Sequence, residues 1–168
     1  MKRRLFHITI AALLAGCLPT AGNSSSPGRP QGDPAMIPLF ASKTLSIAIG
    51  APPERVYAFV ANPENLPQWA KGLGQKVRKA ESGWLIETPQ GTVQLRFAAP
   101  NDLGVLDHYV TVAPGVEVYV PMRVIANGDG SEILFTLFRL PEMSEEQFAR
   151  DQQLVETDLR TLKARLEQ

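Results

Sequence analysis

The chain has 168 residues, of which 44% are hydrophobic and 20% are charged, and its 17 basic residues are balanced by 17 acidic ones. This length accommodates one ordinary domain whose core needs no disulfide or metal to hold it together. The scattered, balanced charge excludes the strongly basic face that binds nucleic acid, so no nucleic-acid partner is expected.

The amino terminus has the features of a bacterial export signal over residues 1–16. Three basic residues at positions 2–4 precede a mostly apolar run over residues 5–14, which is too short for the roughly 20 residues that cross a bilayer. The sequence Leu-Ala-Gly-Cys at residues 14–17 resembles the lipobox of bacterial lipoproteins. That resemblance implies that Cys17, the single cysteine, is acylated and holds the protein on a membrane. The alternative is an ordinary secretory signal that happens to end in Gly-Cys.

The residue after the cysteine is Leu18 rather than an aspartate. In Gram-negative lipoproteins this choice favours the outer membrane over the inner one, so the resemblance implies the periplasmic face of the outer membrane in the bacterial cell envelope. Residues 17–39 are rich in Gly, Ser, Pro and Asn, a composition that is typical of a flexible tether. The folded domain is therefore expected over residues 40–168.

The domain opens with one strand and two short helices. Residues 44–49 alternate apolar and polar side chains, which predicts a strand. The prolines at positions 52 and 53 end that strand and prepare the first turn of a helix. Asn62 followed by Pro63 repeats the helix-start signal and predicts a second short helix through Trp69.

Six further strands follow without an intervening helix. Gly and Pro separate them, and the Asn-Gly-Asp-Gly sequence at residues 127–130 is a strong hairpin signal. Short connections require neighbouring strands to run antiparallel. The predicted strands are residues 75–80, 83–88, 92–98, 105–112, 116–125 and 131–140.

One long helix is predicted from Glu145 to about Glu167. Ser144 and Gln147 have the spacing of a capping box, which marks the start of the helix. An apolar stripe on this helix is expected to face the sheet. Its members are Phe148, Val155, Leu159, Leu162 and Leu166.

This order of elements resembles the START-like or SRPBCC superfamily, which includes polyketide cyclases and lipid-transfer domains. The resemblance covers residues 43–168 and is carried by residues 49–60, by the turn at residues 62–69 and by the helix at residues 148–166. It implies an α+β helix-grip fold, in which a curved seven-stranded antiparallel sheet wraps around the carboxy-terminal helix. Members of the superfamily often leave an apolar cavity between sheet and helix.

A cavity of this kind would be lined by the inward-facing side chains of the strands and of the long helix. Val116, Val118, Val120 and Met122 are expected to share the inward face of their strand, and Trp69 and Trp84 are expected in the core or at a cavity rim. The alternative is that the inward residues fill a solid core. The predicted ligand-binding residues are Phe97, Leu106, His108, Val110, Val120, Met122, Phe135, Val155 and Leu159.

The sequence contains no convincing catalytic or metal-binding set. Since His7 belongs to the predicted signal, His108 stands alone, and neither a cluster of His and Cys ligands nor a cofactor is expected. Asp107 and His108 are adjacent on a strand and point to opposite faces, so they cannot form a dyad. His108 remains a weak candidate for an acid/base, with Tyr109 or Tyr119 nearby, or for a hydrogen bond to a ligand. Otherwise it is a buried histidine satisfied by a neighbour.

Three functions remain open. The first is a membrane-tethered module that holds or shuttles a small apolar molecule or lipid in the cell envelope. The second is a cyclase-like or dehydratase-like enzyme that uses His108, and the third is a non-catalytic interaction protein of the envelope. The sequence leaves the ligand and the oligomeric state undetermined.

Overall fold

The computed structural model describes residues 39–71, 73, 76–88 and 91–168. The predicted signal peptide, Cys17 and the tether up to residue 38 lie outside the described residues, as does Gln75. The described helices are α1 (Pro53–Val60), α2 (Leu66–Trp69) and α3 (Glu145–Leu166), and a 3₁₀ turn at Pro63–Asn65 precedes α2. The described strands are β1 (Ser42–Ile49), β2 (Lys76–Ala80), β3 (Gly83–Thr88), β4 (Gly91–Phe97), β5 (His108–Ala113), β6 (Val116–Val120), β7 (Met122–Asn127) and β8 (Gly130–Phe138).

The strands form two antiparallel sheets. One has the order β2-β3-β4-β5-β6, in which each strand pairs with its neighbour in sequence, and the other has the order β1-β8-β7. Strand β1 pairs along its whole length with β8, so the first and last strands of the domain lie side by side. None of the helices among the described residues is long and apolar enough to cross a membrane.

Pro121 divides the strand predicted over residues 116–125 into β6 and β7, so eight strands stand where the sequence predicted seven. Proline has no backbone N–H and cannot continue a ladder on that side. The pairing nevertheless carries across the break. Thr136 N donates to Pro121 O at 2.9 Å, and Leu106 N donates to Met122 O at 2.8 Å. The two sheets therefore meet at this proline.

The Asp107 carboxylate forms hydrogen bonds to both strands that flank Pro121. Its Oδ1 accepts a hydrogen bond from Met122 N at 2.9 Å, and its Oδ2 accepts one from the Tyr119 hydroxyl at 2.5 Å. The bond to Asp107 raises the pKa of Tyr119 to about 12 because it stabilises the protonated phenol. Asp107 thus has a structural role at the junction of β6 and β7.

The strand predicted over residues 105–112 starts later, at His108. The segment before it is attached to β7 by a single bridge between Val105 and Arg123. Gly104 has a φ of +70°, and a Cβ at this position would lie 2.1 Å from Val124 O. Only glycine permits so close an approach of two backbones. The chain therefore runs beside β7, antiparallel to it, before it enters β5.

The prediction that Val116 faces inward was wrong, since its side chain is 47% exposed. The pairing of β5 with β6 shifts register between Thr111 and Ala113, next to the turn that leads into Val116. The extra residue lies on β5, so the alternation along β6 is unbroken, and Val116 is exposed because it is the first residue of β6, directly after the turn at residues 114–115. Val118 and Val120, farther along β6, are half-buried.

The long helix α3 packs along β1 and α2 and begins as predicted. The Ser144 hydroxyl accepts a hydrogen bond from Gln147 N at 3.2 Å. In the second half of α3, Leu159, Leu162 and Leu166 are buried. At its end, Lys163 Nζ donates to Ala48 O at 2.6 Å. The predicted helix-grip architecture, with the last helix held against the strands, is confirmed.

Candidate functional site

The inner face of the sheets presents a continuous set of apolar side chains. Phe97 pairs with His108 across β4 and β5, and Leu95 pairs with Val110 on the same face. Among the predicted ligand-binding residues, Leu106, Val110, Met122 and Leu159 are buried. Phe97, Val120, Phe135 and Val155 are only half-buried. A fully packed core would bury such residues, so part of this face is open.

His108 lies between aromatic rings that belong to different sheets. Its ring centroid is 5.0 Å from that of Phe97 on β4 and 6.1 Å from that of Phe135 on β8. The side chain is 8% exposed. Because the ring contacts both sheets, it occupies the face that the two sheets share.

The hydrogen bond of His108 fixes its tautomer. Nδ1 lies 3.0 Å from Leu106 O, and a carbonyl oxygen can only accept, so Nδ1 carries the proton. Burial lowers the pKa of His108, and this effect exceeds the opposing effects of the Leu106 carbonyl and the Asp107 charge. The ring is therefore neutral at pH 7, and its Nε2 is a hydrogen-bond acceptor.

Tyr109 and Tyr119, the candidate partners of His108 in catalysis, lie on the other face of the sheet. Tyr109 stacks on Tyr119 with ring centroids 5.1 Å apart, and the Arg96 guanidinium lies 4.3 Å from the centre of the Tyr109 ring. Tyr119 is 41% exposed and is bonded to Asp107. The expectation that Tyr109 or Tyr119 lies near His108 in a reaction centre was wrong, because alternation along β5 and β6 points them outward.

A cleft of about 290 Å³ opens where α1 and the segment between β4 and β5 meet the strands. Two of the predicted ligand-binding residues, Phe97 and Leu106, are among its walls. The other seven predicted residues do not line this cleft. The complete lining is Tyr57, Ala61, Pro63, Gly83, Trp84, Arg96, Phe97, Ala98, Pro100, Val105 and Leu106.

The segment that forms one wall of the cleft is firmly held. Asn101 N donates to the Tyr57 hydroxyl at 3.1 Å, and Asn101 Nδ2 donates to Val105 O at 2.9 Å. The Asn101 Oδ1 accepts from the backbone of Leu103 and Val105 at 3.0 Å each. This loop is therefore a fixed part of the cleft, tied to α1 through Tyr57.

Sequence reasoning missed the contributions of α1 and of this loop. Nothing in the local sequence pattern distinguishes Tyr57 and Ala61 from other positions on or next to a short helix. An asparagine in a Pro-Asn-Asp turn is a signal for local backbone hydrogen bonds, but its bond to Tyr57 depends on the fold. Of the two tryptophans, Trp69 is in the core with 5% exposure, whereas Trp84 lines the cleft.

A second groove, of about 500 Å³, is lined mostly by charged residues. It is lined by Glu64, Pro67, Lys76, Val77, Arg78 and Glu87, and Lys76 forms an ion pair with Glu87 at 3.5 Å. Such exposed pairs contribute little and are solvated. Within the ranges that the structure describes, no group of three His, Cys, Asp or Glu side chains is placed to hold a metal ion.

Antiparallel sheets with one long carboxy-terminal helix packed against them define the helix-grip class of proteins. The chain belongs to the family described as polyketide cyclase / dehydrase and lipid transport, whose profile matches residues 49–164. Family and fold together fit a module that binds small hydrophobic ligands. Among proteins with curated functions, none matches this chain.

Solved structures from several bacteria share the fold. The protein XoxI from Bacillus cereus is 20% identical, with a TM-score of 0.62 over 75% of this chain and 95% of its own. The Aha1 dimer from Colwellia psychrerythraea is 18% identical, with a TM-score of 0.60 over 76% and 96%. CV1439 from Chromobacterium violaceum is 16% identical, with a TM-score of 0.56 over 76% and 97%. These relatives consist almost wholly of this domain, so residues 40–168 are expected to fold without the tether.

Proposed function

We propose that this protein is a membrane-tethered binding module that holds or shuttles a small apolar molecule or lipid in the bacterial cell envelope. The lipobox-like sequence at Cys17 supports the membrane anchor. The composition of the following residues supports a tether that lets the domain move near the membrane surface. The family and the fold support the binding of an apolar ligand.

The observation that carries the proposal is the apolar cleft beside the shared face of the sheets. Phe97 and Leu106 form its inner wall, and both contact His108 on that face. Small-molecule sites are typically concave and apolar with a small number of placed polar groups. The cleft matches this description, because most of its lining residues are apolar and its polar side chains are those of Tyr57 and Arg96.

An enzymatic function of the cyclase or dehydratase type receives less support. His108 has one hydrogen bond to a described residue, and its partner is the backbone carbonyl of Leu106. General acid/base catalysis on a bound ligand normally uses a second polar group placed near the reacting atoms. Tyr109 and Tyr119 lie on the opposite face of the sheet and cannot supply this second polar group. Binding is therefore the better-supported activity.

Native mass spectrometry of the intact lipoprotein, extracted gently from its membrane, tests the proposal directly. The expected result is a bound apolar small molecule that leaves at higher collision energy. For the domain of residues 40–168 in solution, the neutral dye Nile red serves as the probe, and saturable binding with a fluorescence increase is expected. Absence of both a co-purified molecule and saturable dye binding would contradict the proposal.

A pair of matched substitutions locates the binding site. Ala61 lines the cleft at the end of α1, whereas Ala58 is exposed on the same helix. Ala61→Leu fills part of the cleft and should weaken Nile red binding about tenfold, which corresponds to about 1.4 kcal/mol. Ala58→Leu adds the same side chain outside the cleft and should leave binding unchanged. Equal affinities for the two variants would place the ligand elsewhere.

A further inference from the structure

We propose that the ligand is an apolar molecule bearing a hydroxyl group, an alcohol or a phenol, whose O–H donates to Nε2 of His108. This inference rests on the proposed binding function and narrows it to one ligand chemistry. It predicts that the site prefers a neutral hydroxyl compound to the corresponding ether and to the corresponding carboxylate.

The first support is the hydrogen-bonding state of the imidazole. Since Nδ1 donates to Leu106 O, the lone pair of the ring is on Nε2. No described residue donates a hydrogen bond to Nε2. His108 is 8% exposed and its Nε2 is not completely enclosed by protein atoms, so a hydroxyl on the ligand can approach this acceptor and donate to it. An ether oxygen carries no hydrogen to donate and would leave Nε2 unpaired.

The second support is the position of His108 behind the cleft. Phe97 packs against the imidazole with ring centroids 5.0 Å apart, and the Leu106 carbonyl binds Nδ1. Both of these residues also line the cleft. His108 itself does not line the cleft, so the proposal requires the bound ligand to move the Phe97 ring aside.

The third support is the scarcity of positive charge on this face. Among the described residues, the buried polar or charged ones are His108 and Ser131. Arg96 is part of the cleft lining, but its guanidinium is engaged on the outer face, where it pairs with Glu117 at 3.2 Å and covers Tyr109. A carboxylate entering the apolar site would lose its hydration without gaining a cation. A neutral hydroxyl has no such penalty.

Competition between Nile red and three compounds with an unbranched chain of eight carbon atoms tests the inference on the domain of residues 40–168. The compounds are 1-octanol, octyl methyl ether and octanoate. Octanol should bind about fivefold more tightly than the ether, the typical effect of one hydrogen bond, and octanoate should bind most weakly. His108→Phe should remove the preference for octanol while the ether keeps its affinity.

A second measurement does not depend on a substitution. This domain has one histidine, so a long-range ¹H–¹⁵N spectrum of the unmodified protein contains one imidazole. Octanol should shift the Nε2 resonance and the ether should leave it in place. Equal affinity for all three compounds, or tighter binding of octanoate, would overturn the inference while leaving ligand binding intact. If Nile red itself fails to bind, the proposed function falls and the inference falls with it.

Discussion

At the scale of single residues, His108 links stability to pH. Burial holds its folded-state pKa below the ordinary 6.5, so the unfolded chain takes up the proton first as the pH falls. The free energy of unfolding should therefore decrease as the pH drops from about 7.5 towards 5, by at most about 1.4 kcal/mol per pH unit for one proton. Urea unfolding of residues 40–168 at a series of pH values measures this slope.

The control for this prediction is His108→Gln, which keeps a polar side chain and cannot titrate. Since the domain has no other histidine, the variant should show a flatter stability profile over the same pH range. If the two proteins lose stability in parallel between pH 7.5 and 5, another group is responsible, and the assignment of a neutral His108 is wrong.

Asp151 is a second residue whose burial opposes its charge. It is half-buried on α3, one turn before Val155 on the stripe that faces the strands. Burial raises the pKa of its carboxyl, and the neighbouring Arg150 offsets only part of this effect. A raised folded-state pKa means that stability is lost as the pH rises above the ordinary value of 3.8. Asp151→Asn should therefore raise the Tm at pH 7, and the difference should vanish near pH 3.

Glu146, on the same helix, provides a control of opposite sign. Its own backbone N–H and the Ser144 hydroxyl hold the pKa of its carboxyl below the ordinary value, which is the expected effect of a helix start on a carboxylate. Glu146→Gln should lower the Tm at pH 7. A decrease in Tm for Asp151→Asn would show that this carboxylate has a stabilising partner.

At the scale of elements, the junction of β6 and β7 depends on Asp107. Asp107→Asn keeps an acceptor for Met122 N but removes the negative charge next to the Tyr119 hydroxyl. The pKa of Tyr119 should fall from about 12 towards the ordinary 10.0. Phenolate absorbance during an alkaline titration measures this change, and Tyr119→Phe identifies which of the three tyrosines is responsible. An unchanged titration in Asp107→Asn would contradict the bond.

The same elements show what the sequence could predict. The start of α3 was predicted because a serine cap is a local signal that needs no tertiary contact. The break at Pro121 was not predicted, although a proline inside a strand indicates that the strand can end there. The late start of β5 depends on the close approach of Gly104 to β7. That contact joins distant parts of the chain and cannot be read from periodicity.

At the scale of the whole molecule, the order of elements was enough to predict the helix-grip fold. The inward face of β4 and β5 followed from alternation, which is why Phe97 and His108 were correctly placed together. The cleft could not be predicted from the sequence, because Tyr57 and Ala61 belong to the region of α1, where no sequence pattern indicates a binding role. Sequence patterns indicate which face of an element is apolar, but they do not show where a gap remains between two packed elements.

The proposed place of the domain in the cell depends on Cys17. Acyl chains hold a protein on a bilayer through about 0.8 kcal/mol per buried methylene, and more than one chain is needed for stable anchoring. Cys17→Ala should therefore abolish labelling with a palmitate analogue and remove the protein from the outer-membrane fraction. Leu18→Asp keeps the cysteine and should move the labelled protein to the inner membrane.

These two substitutions separate anchoring from ligand binding. Both lie outside residues 40–168, so Nile red binding by that domain is independent of them, and a change in fractionation reports the anchor alone. If the Cys17→Ala protein still carries the palmitate label, the lipobox assignment is wrong. The binding module would then act free of a lipid anchor, and delivery of an apolar ligand to a membrane would require diffusion of the domain rather than the reach of a tether.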